Sequence, residues 1–306
     1  MSALACHLAD YLALRRSLGF KLGWQGTDLA GLVAYLDAAG APTLTADLAI
    51  AWARLPQGVQ WLRWAHRLGA ARGFARYLAA IDEATEVPPP DVFGARQTRP
   101  DPYLWAPGEV VRLLSAARTL RPPLRATTHE ALFGLLAVSG MRLGEAIALA
   151  RGDVDLTAGV LLIREAKFDR ARLVPLHPSA VDALRAYAAR RDRLCPVPRV
   201  GTFFLSSVGT ALLANGVQHT FRGLTQALGL RTATVRPRLH DLRHSFAVRT
   251  LIDWHRADAD VEARLAVLST YLGHVNPAGT YWYLSAAPEL TELAAARLAL
   301  GAGRSR

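Results

Sequence analysis

The sequence predicts a mainly α-helical fold with a small β-hairpin or sheet, built as an N-terminal helical bundle followed by a larger mixed α/β domain. Three observations predict it. Apolar residues recur at helical spacing along most of the chain. One stretch, residues 154–174, changes to short β-like runs. Residues 86–102 carry five prolines and no helical period, which reads as a divide. These place a helical domain at 1–84, a Pro-rich linker at 85–102 and a second domain at 103–306. At 306 residues the chain has room for one large domain or two ordinary ones.

The first domain reads as four helices, over residues 4–18, 29–36, 43–53 and 61–81, with Gly40 and the Pro56–Gly58 pair as punctuation. Arg54, Arg63, Arg67, Arg72 and Arg76 are expected on its outer faces. Beyond the linker, Pro107-Gly108-Glu109 opens a helix to about residue 117, and residues 127–149 show helix-like apolar faces around Gly140. Val160–Ile163 and Arg172–Val174 read as the arms of a hairpin, with Lys167-Phe168-Asp169-Arg170 at its tip and a further short strand at 203–205. Helices are expected over 178–191, 215–228, 241–255 and 261–268, and a last amphipathic one over 288–300. That last helix docks either on its own domain or on a neighbouring protomer.

Charge narrows the function class. The formal net charge is +11 and 51% of the residues are hydrophobic, which suits a packed core and a polyanionic partner, nucleic acid first. Residues 1–100 carry 10 basic and 8 acidic side chains, and residues 101–306 carry 26 and 17, so the excess lies mostly in the second domain. Of 36 basic residues 34 are Arg, the two lysines being Lys21 and Lys167. Arginine offers phosphate a planar, permanently charged fork, whereas lysine is a point charge that can release its proton. Cys6 and Cys195 are too few for a disulfide framework or a thiolate metal site. The N-terminus, interrupted by Asp10, Arg15 and Arg16, does not read as a signal peptide, and the longest apolar run, 131–141, is too short to span a bilayer. A cytoplasmic protein with no membrane partner is expected.

Beyond Lys167 at the hairpin tip, the chemistry-bearing residues lie in four places. Arg142 follows Gly140 at a predicted helix start, where a guanidinium aided by the helix N-terminus can hold a phosphate oxygen. Glu145 reads as its structural partner. His240 and Arg243 are three apart at another helix start, hence on one face. His244 is expected to point off that face. Gly273 reads as a left-handed helix cap that presents His274. Tyr283, nine residues on, offers a phenol, with Tyr281 as the competing nucleophile and an aromatic core cluster of Tyr271, Tyr281 and Trp282 as the structural alternative. A phenol of ordinary pKa, about 10, needs neighbouring cations to attack. The sequence holds no phosphate-binding Gly-x-x-x-x-Gly-Lys-Ser/Thr loop and no His-Glu-x-x-His or zinc-spaced Cys/His set, so neither a cofactor nor a metal is expected.

In order, these segments resemble the tyrosine recombinase (phage-integrase-like) family across most of residues 103–306. The matching parts are the box at 139–146, the hairpin ending Arg172-Leu173-Val174-Pro175-Leu176, the box at 239–246 and the interval from Leu272-Gly273-His274 to Tyr283. Thr280, six past His274, also fits. The N-terminal bundle resembles more loosely the family's core-DNA-binding, SAM-like domain. The resemblance implies that Arg142 and Arg243 clamp a scissile phosphate. It makes Tyr283 the nucleophile giving a 3′-phosphotyrosyl bond, Lys167 the general acid, His240 an assistant in proton transfer and His274 a donor to the phosphoryl oxygens. It implies a C-shaped clamp on double-stranded DNA and a tetramer of the chain on two DNA sites, with or without partner recombinases. The biological setting implied is integration or transposition of a mobile element. A type IB topoisomerase and a non-catalytic DNA-binding accessory protein are the alternative functions.

Overall fold

A computed structural model describes residues 2–94, 101–164, 171–257, 259–273 and 278–284. The chain divides into two compact units, Met1–Arg99 and Pro100–Arg306.

The first unit holds α1 (Ala3–Ser17), α2 (Gly23–Ala38), α3 (Ala46–Arg54) and α4 (Trp61–Leu78). The hydroxyls of Ser2 and Thr45 cap α1 and α3 by accepting the backbone N–H groups of Ala5 and Leu48. Leu29, Leu32, Leu36, Trp52, Leu68, Phe74 and Leu78 form the core. The arginines are not uniformly on outer faces. Arg63 and Arg67 both reach the buried carboxylate of Asp28, and Arg67 lies flat on the Trp52 ring at 3.8 Å. Arg72 donates to the carbonyls of Pro88 and Pro89, while Arg54 and Arg76 are exposed. A buried carboxylate needs cationic partners, and this requirement turns two of the five arginines inward. The chain after α4 is laid along the bundle: the Glu86 N–H donates to the Leu44 carbonyl, and Val92 and Phe93 pack on the core.

The second unit begins with α5 (Pro107–Arg118), α6 (Pro123–Ser139) and the short α7 (Leu143–Ala148). A three-stranded antiparallel sheet follows in the order β1 (Val154–Asp155), β2 (Val160–Arg164), β3 (Ala171–Pro175). Leu161 pairs with Val174 and Ile163 with Arg172, so Leu161, Ile163 and Val174 face the core. The chain closes with α8 (Pro178–Leu194), α9 (Ala214–Ala227), α10 (Asp241–Arg256), α11 (Val261–Leu272) and α12 (Ala278–Leu284). The fold is thus mainly helical with a small sheet. No strand forms at 203–205. Phe203 and Phe204 pack around the Tyr187 ring, and the only pairings nearby are the bridges Ala150–Thr202 and Leu205–Ala211. The hairpin tip and the 288–300 helix lie outside the described residues. The periodicity did not announce α12, whose Thr, Tyr and Trp residues are weak helix formers. Packing holds it, with Thr280 and Tyr283 buried.

Two cores matter for the site. The larger joins α5, α6, the sheet, α8 and α9. The smaller joins Ala247, Val248 and Leu251 of α10 to Leu265, Leu268 and Leu272 of α11 and Tyr283 of α12. Among the described residues no helix is long and apolar enough to cross a membrane.

Candidate active site

Three helix ends meet where the sequence places its chemistry-bearing residues. The first is the end of α6. Gly140 caps it in the left-handed region, φ +60°. A Cβ there would stand 2.5 Å from Phe246 Cδ1, so only glycine lets α10 approach so closely. The second is the start of α10, with His240 at its N-cap and Arg243 in its first turn. The third is the end of α11, capped by Gly273 in the left-handed region, φ +67°.

Arg243 ties the three together. Only 2% of it is exposed. Its Nη1 donates to the Gly140 carbonyl at 2.8 Å and its Nη2 to the Leu272 carbonyl at 2.8 Å. Carbonyls at helix C-termini lack intrahelical partners and carry the negative end of the helix dipole, so a buried guanidinium suits them. Burial draws the Arg243 pKa down, and the Tyr283 phenol, which hydrogen-bonds the guanidinium, opposes that shift.

Arg142 comes to the same place from the N-cap of α7. Its Nη2 donates to the Gly273 carbonyl at 2.7 Å and its Nη1 to Glu145 Oε1 at 2.7 Å. Glu145 also accepts the Arg142 backbone N–H at 2.9 Å and Arg172 Nη2 at 2.8 Å. Burial alone would raise the Glu145 pKa. Arg172 first, and Arg142 after it, outweigh that and hold the carboxyl below its usual range. The expectation that Glu145 serves as a structural partner describes these bonds. Arg172 completes the network by donating from Nε to the Tyr271 carbonyl at 3.1 Å, which joins β3 to α11.

His240 lies at the rim of this group, its pKa lowered by partial burial and then by Arg243. His244 does not point away from it. The two rings meet edge to face at 4.6 Å, because residues four apart share a helix face as closely as residues three apart. His244 is buried, with Trp282 at 4.9 Å and Tyr283 at 5.4 Å between ring centroids. Tyr283 is 2% exposed, inside the smaller core and against Arg243, whereas Tyr281 is 55% exposed. Tyr283 therefore belongs to the aromatic core and to the arginine group at once. Of the six candidate residues, the structure brings Arg142, His240, Arg243 and Tyr283 together. Lys167 and His274 lie outside the described residues.

Sequence reasoning missed two residues here. Arg172 had a readable signal: in an alternating strand it shares its face with buried Val174, and a charge on a buried face needs a partner. His244 had the four-residue spacing from His240.

The phage integrase family model matches residues 106–289. The chain is 45% identical to a candidate integrase/recombinase, y4rB, of Sinorhizobium fredii, over 97% of this chain and 98% of that protein. It is 34% identical to the tyrosine recombinase XerD of Mycobacterium tuberculosis, over 72% of this chain and 66% of the relative. Among solved structures it resembles the XerH site-specific recombinase bound to its palindromic difH substrate, with TM-score 0.66 and 18% identity over 88% of this chain and 77% of that one. It also resembles the Tn1549 transposon integrase in complex with transposon right end DNA, with TM-score 0.65 and 16% identity over 95% and 98%. At those identities the structural likeness concerns the fold. The family model and the relatives that align along the chain settle descent: the chain belongs to the phage integrase family, the tyrosine recombinases.

Proposed function

We propose that the chain is a site-specific DNA recombinase of the integrase or transposase type, which cuts and rejoins double-stranded DNA through a 3′-phosphotyrosyl intermediate. The observation that carries this reading is the Tyr283 phenol held against the Arg243 guanidinium, with Arg142 anchored to the same α11 cap. In this reading Arg142 and Arg243 bind the non-bridging oxygens of the scissile phosphate. The Tyr283 oxygen attacks phosphorus, the bond to the 5′ oxygen breaks, and that oxygen leaves as a hydroxyl. Two negative charges develop where one stood, and two cations already oriented by backbone carbonyls meet them without reorganisation.

Lys167 protonates the leaving oxygen, a step that arginine performs poorly because it does not release its proton. His240, whose lowered pKa favours the neutral ring, accepts the phenol proton. His274 donates to the phosphoryl oxygens. The phosphotyrosyl bond stores the cleavage energy, so a 5′-hydroxyl from another strand can rejoin without ATP or a metal ion. Exchange between two sites calls for four protomers, supplied by this chain alone or with partner recombinases. A net charge of +11 suits a DNA partner, and the setting is the cytoplasm.

Trapping on a nicked suicide duplex tests the reading, with wild type, Tyr283→Phe and Tyr281→Phe in EDTA buffer. A covalent protein–DNA band lost only in Tyr283→Phe is expected. Loss only in Tyr281→Phe moves the nucleophile. DNA binding without a band from any of the three points to an accessory role, and relaxation of supercoils without a specific site points to a type IB topoisomerase.

A further inference from the structure

Beside the α10 start, but on residues the proposed chemistry does not use, lies a cavity of about 860 Å³. Four arginines line it: Arg222 from α9, and Arg231, Arg236 and Arg238 from the loop between α9 and α10. Two carboxylates oppose them. Asp241 is taken up by Arg238, which binds it through Nη2 at 2.8 Å and through its own backbone N–H at 2.7 Å. Asp101 is the other, and it is exposed. Three guanidiniums thus face one carboxylate.

The arginines differ in how they are held. Arg222 and Arg236 are exposed and meet no carboxylate among the described residues. Arg231 is partly buried. Its Nη2 donates to the Pro237 carbonyl at 2.8 Å, and its Nε is buried without a hydrogen-bond partner. A buried guanidinium N–H left unmet is costly unless an acceptor arrives. The loop is fastened from within: the Thr232 N–H donates to the Val235 carbonyl and the Val235 N–H to the Thr232 hydroxyl, both at 2.9 Å. Little ordering is left to be done when an anion binds.

We propose that this cavity docks the sugar–phosphate backbone of duplex DNA beside the scissile phosphate, with Arg222, Arg231 and Arg236 holding a phosphodiester that is not cut. The inference rests on the reading of the chain as a recombinase. An acceptor of two or three negative oxygens matches the unmet donor and the surplus charge, and the volume exceeds what a lone phosphate group fills. The place also fits: Arg238 and Asp241, which form one wall, lie within two residues of His240, so a strand held here passes the candidate site. Holding a phosphate in this way fixes the register of the DNA and carries no base information.

The test compares wild type with Arg222→Gln, Arg236→Gln and the double variant Arg231→Gln/Arg236→Gln. Binding to a short random-sequence duplex is measured across a salt series, and single-turnover trapping is measured on the suicide duplex at saturating protein. Arg222→Gln and Arg236→Gln remove exposed side chains that meet no carboxylate among the described residues, so folding is expected to be kept. The double variant is expected to bind about 10- to 100-fold more weakly at low salt. Its slope of log affinity against log salt should fall by about 1 for each phosphate that the variant no longer neutralises. Its trapping rate at saturation should match wild type. Unchanged affinity and slope in all three variants overturns the proposal. So does binding of inorganic phosphate alone that Arg236→Gln abolishes while DNA affinity stays as in wild type, since the site then serves a free anion. A lower slope in a protein that never forms a covalent band leaves the docking site standing and removes the catalytic reading, so the two failures are distinct.

Discussion

Replacing Gly140 by alanine tests the closure of α6 against α10, and two quantities set the size of the effect. The backbone at Gly140 has φ +60°, where a Cβ costs about 1 kcal/mol. That Cβ would stand 2.5 Å from Phe246 Cδ1 and 3.1 Å from Leu272 Cδ2, distances at which something must move. The Phe246 ring has little retreat, because it stacks on Tyr271 at 5.7 Å. Overpacking of this kind costs about 1–3 kcal/mol, so Gly140→Ala should destabilise the second unit by roughly 2–4 kcal/mol. It should also slow cleavage, because the displaced Gly140 carbonyl is one of the acceptors that fix Arg243. Amide hydrogen exchange resolved over α6, α10 and α11 reads the first effect without interference from the N-terminal bundle, and suicide-substrate trapping reads the second. Adding Phe246→Leu relieves the collision and leaves the backbone strain, so the double variant should regain roughly half of the loss. Wild-type protection and trapping in Gly140→Ala would refute the argument, since neither the strain nor the collision would then exist in solution.

Three further outcomes follow from the same geometry. Glu145→Gln should cost about 2–3 kcal/mol at pH 7, because Arg172 is left mostly buried beside a neutral amide while half-exposed Arg142 loses less. Because the folded Glu145 pKa is lowered, its contribution is present above the unfolded value and lost as pH falls through the folded one. The gap between variant and wild type in denaturant titrations should therefore close in acid, and a gap that widens there contradicts the assignment. Asp28→Ala, which strands Arg63 and Arg67 in the first unit, should lower that unit's denaturation midpoint by an amount equivalent to about 2–3 kcal/mol, and an unchanged midpoint would show that solvent already screens the pair. The lowered His240 pKa keeps its ring neutral at pH 7, so single-turnover trapping should stay level down to the ordinary histidine value of 6.5 and decline only in more acid buffer; a decline that begins above pH 7 would reverse the sign.

The helices most legible in the sequence are those whose own apolar stripe is regular. Residues 4–18, 178–191 and 241–255 read as helices and fold as α1, α8 and α10, each within a few residues. The hairpin was legible as two short β-like runs, Val160–Ile163 and Arg172–Val174, of which the structure turns Leu161, Ile163 and Val174 to the core. The exceptions share a cause. Phe203 and Phe204 suggest a strand locally, yet both are buried in one aromatic cluster around Tyr187, and the backbone pairing beside them stops at the isolated bridges Ala150–Thr202 and Leu205–Ala211. Residues 278–284 suggest no element locally, and they form a helix because Tyr283 and Thr280 bury against α10 and α11. Tertiary packing decides both cases, and no short-range pattern carries it.

The site divides along a similar line. Spacing alone places His240 with Arg243, and Gly273 at a left-handed cap, because each is a property of a few consecutive residues; Gly140, read within helix-like faces over 127–149, emerges as a cap only in the structure. What spacing cannot give is the bond set that unites them. Arg243 reads two carbonyls far apart in the sequence, Gly140 and Leu272, and Arg142 reads the next carbonyl along, Gly273. A backbone carbonyl has no side-chain identity, so nothing in the residue string marks it as an acceptor. The string does mark the demand: a buried guanidinium must find acceptors, and helix C-termini supply them. Arg172 and Glu145 follow the same logic, an inward-facing cation on a strand and a carboxylate set to neutralise it. The arginines of this domain thus fall into two kinds that sequence cannot separate. Arg142, Arg172 and Arg243 are committed to internal acceptors, whereas Arg222 and Arg236 meet no internal carboxylate among the described residues. The first kind is oriented by those acceptors toward the scissile phosphate, and the second faces the polyanion along the flank of the site, so loss of the second should register in the salt dependence of binding before it registers in the rate of cleavage.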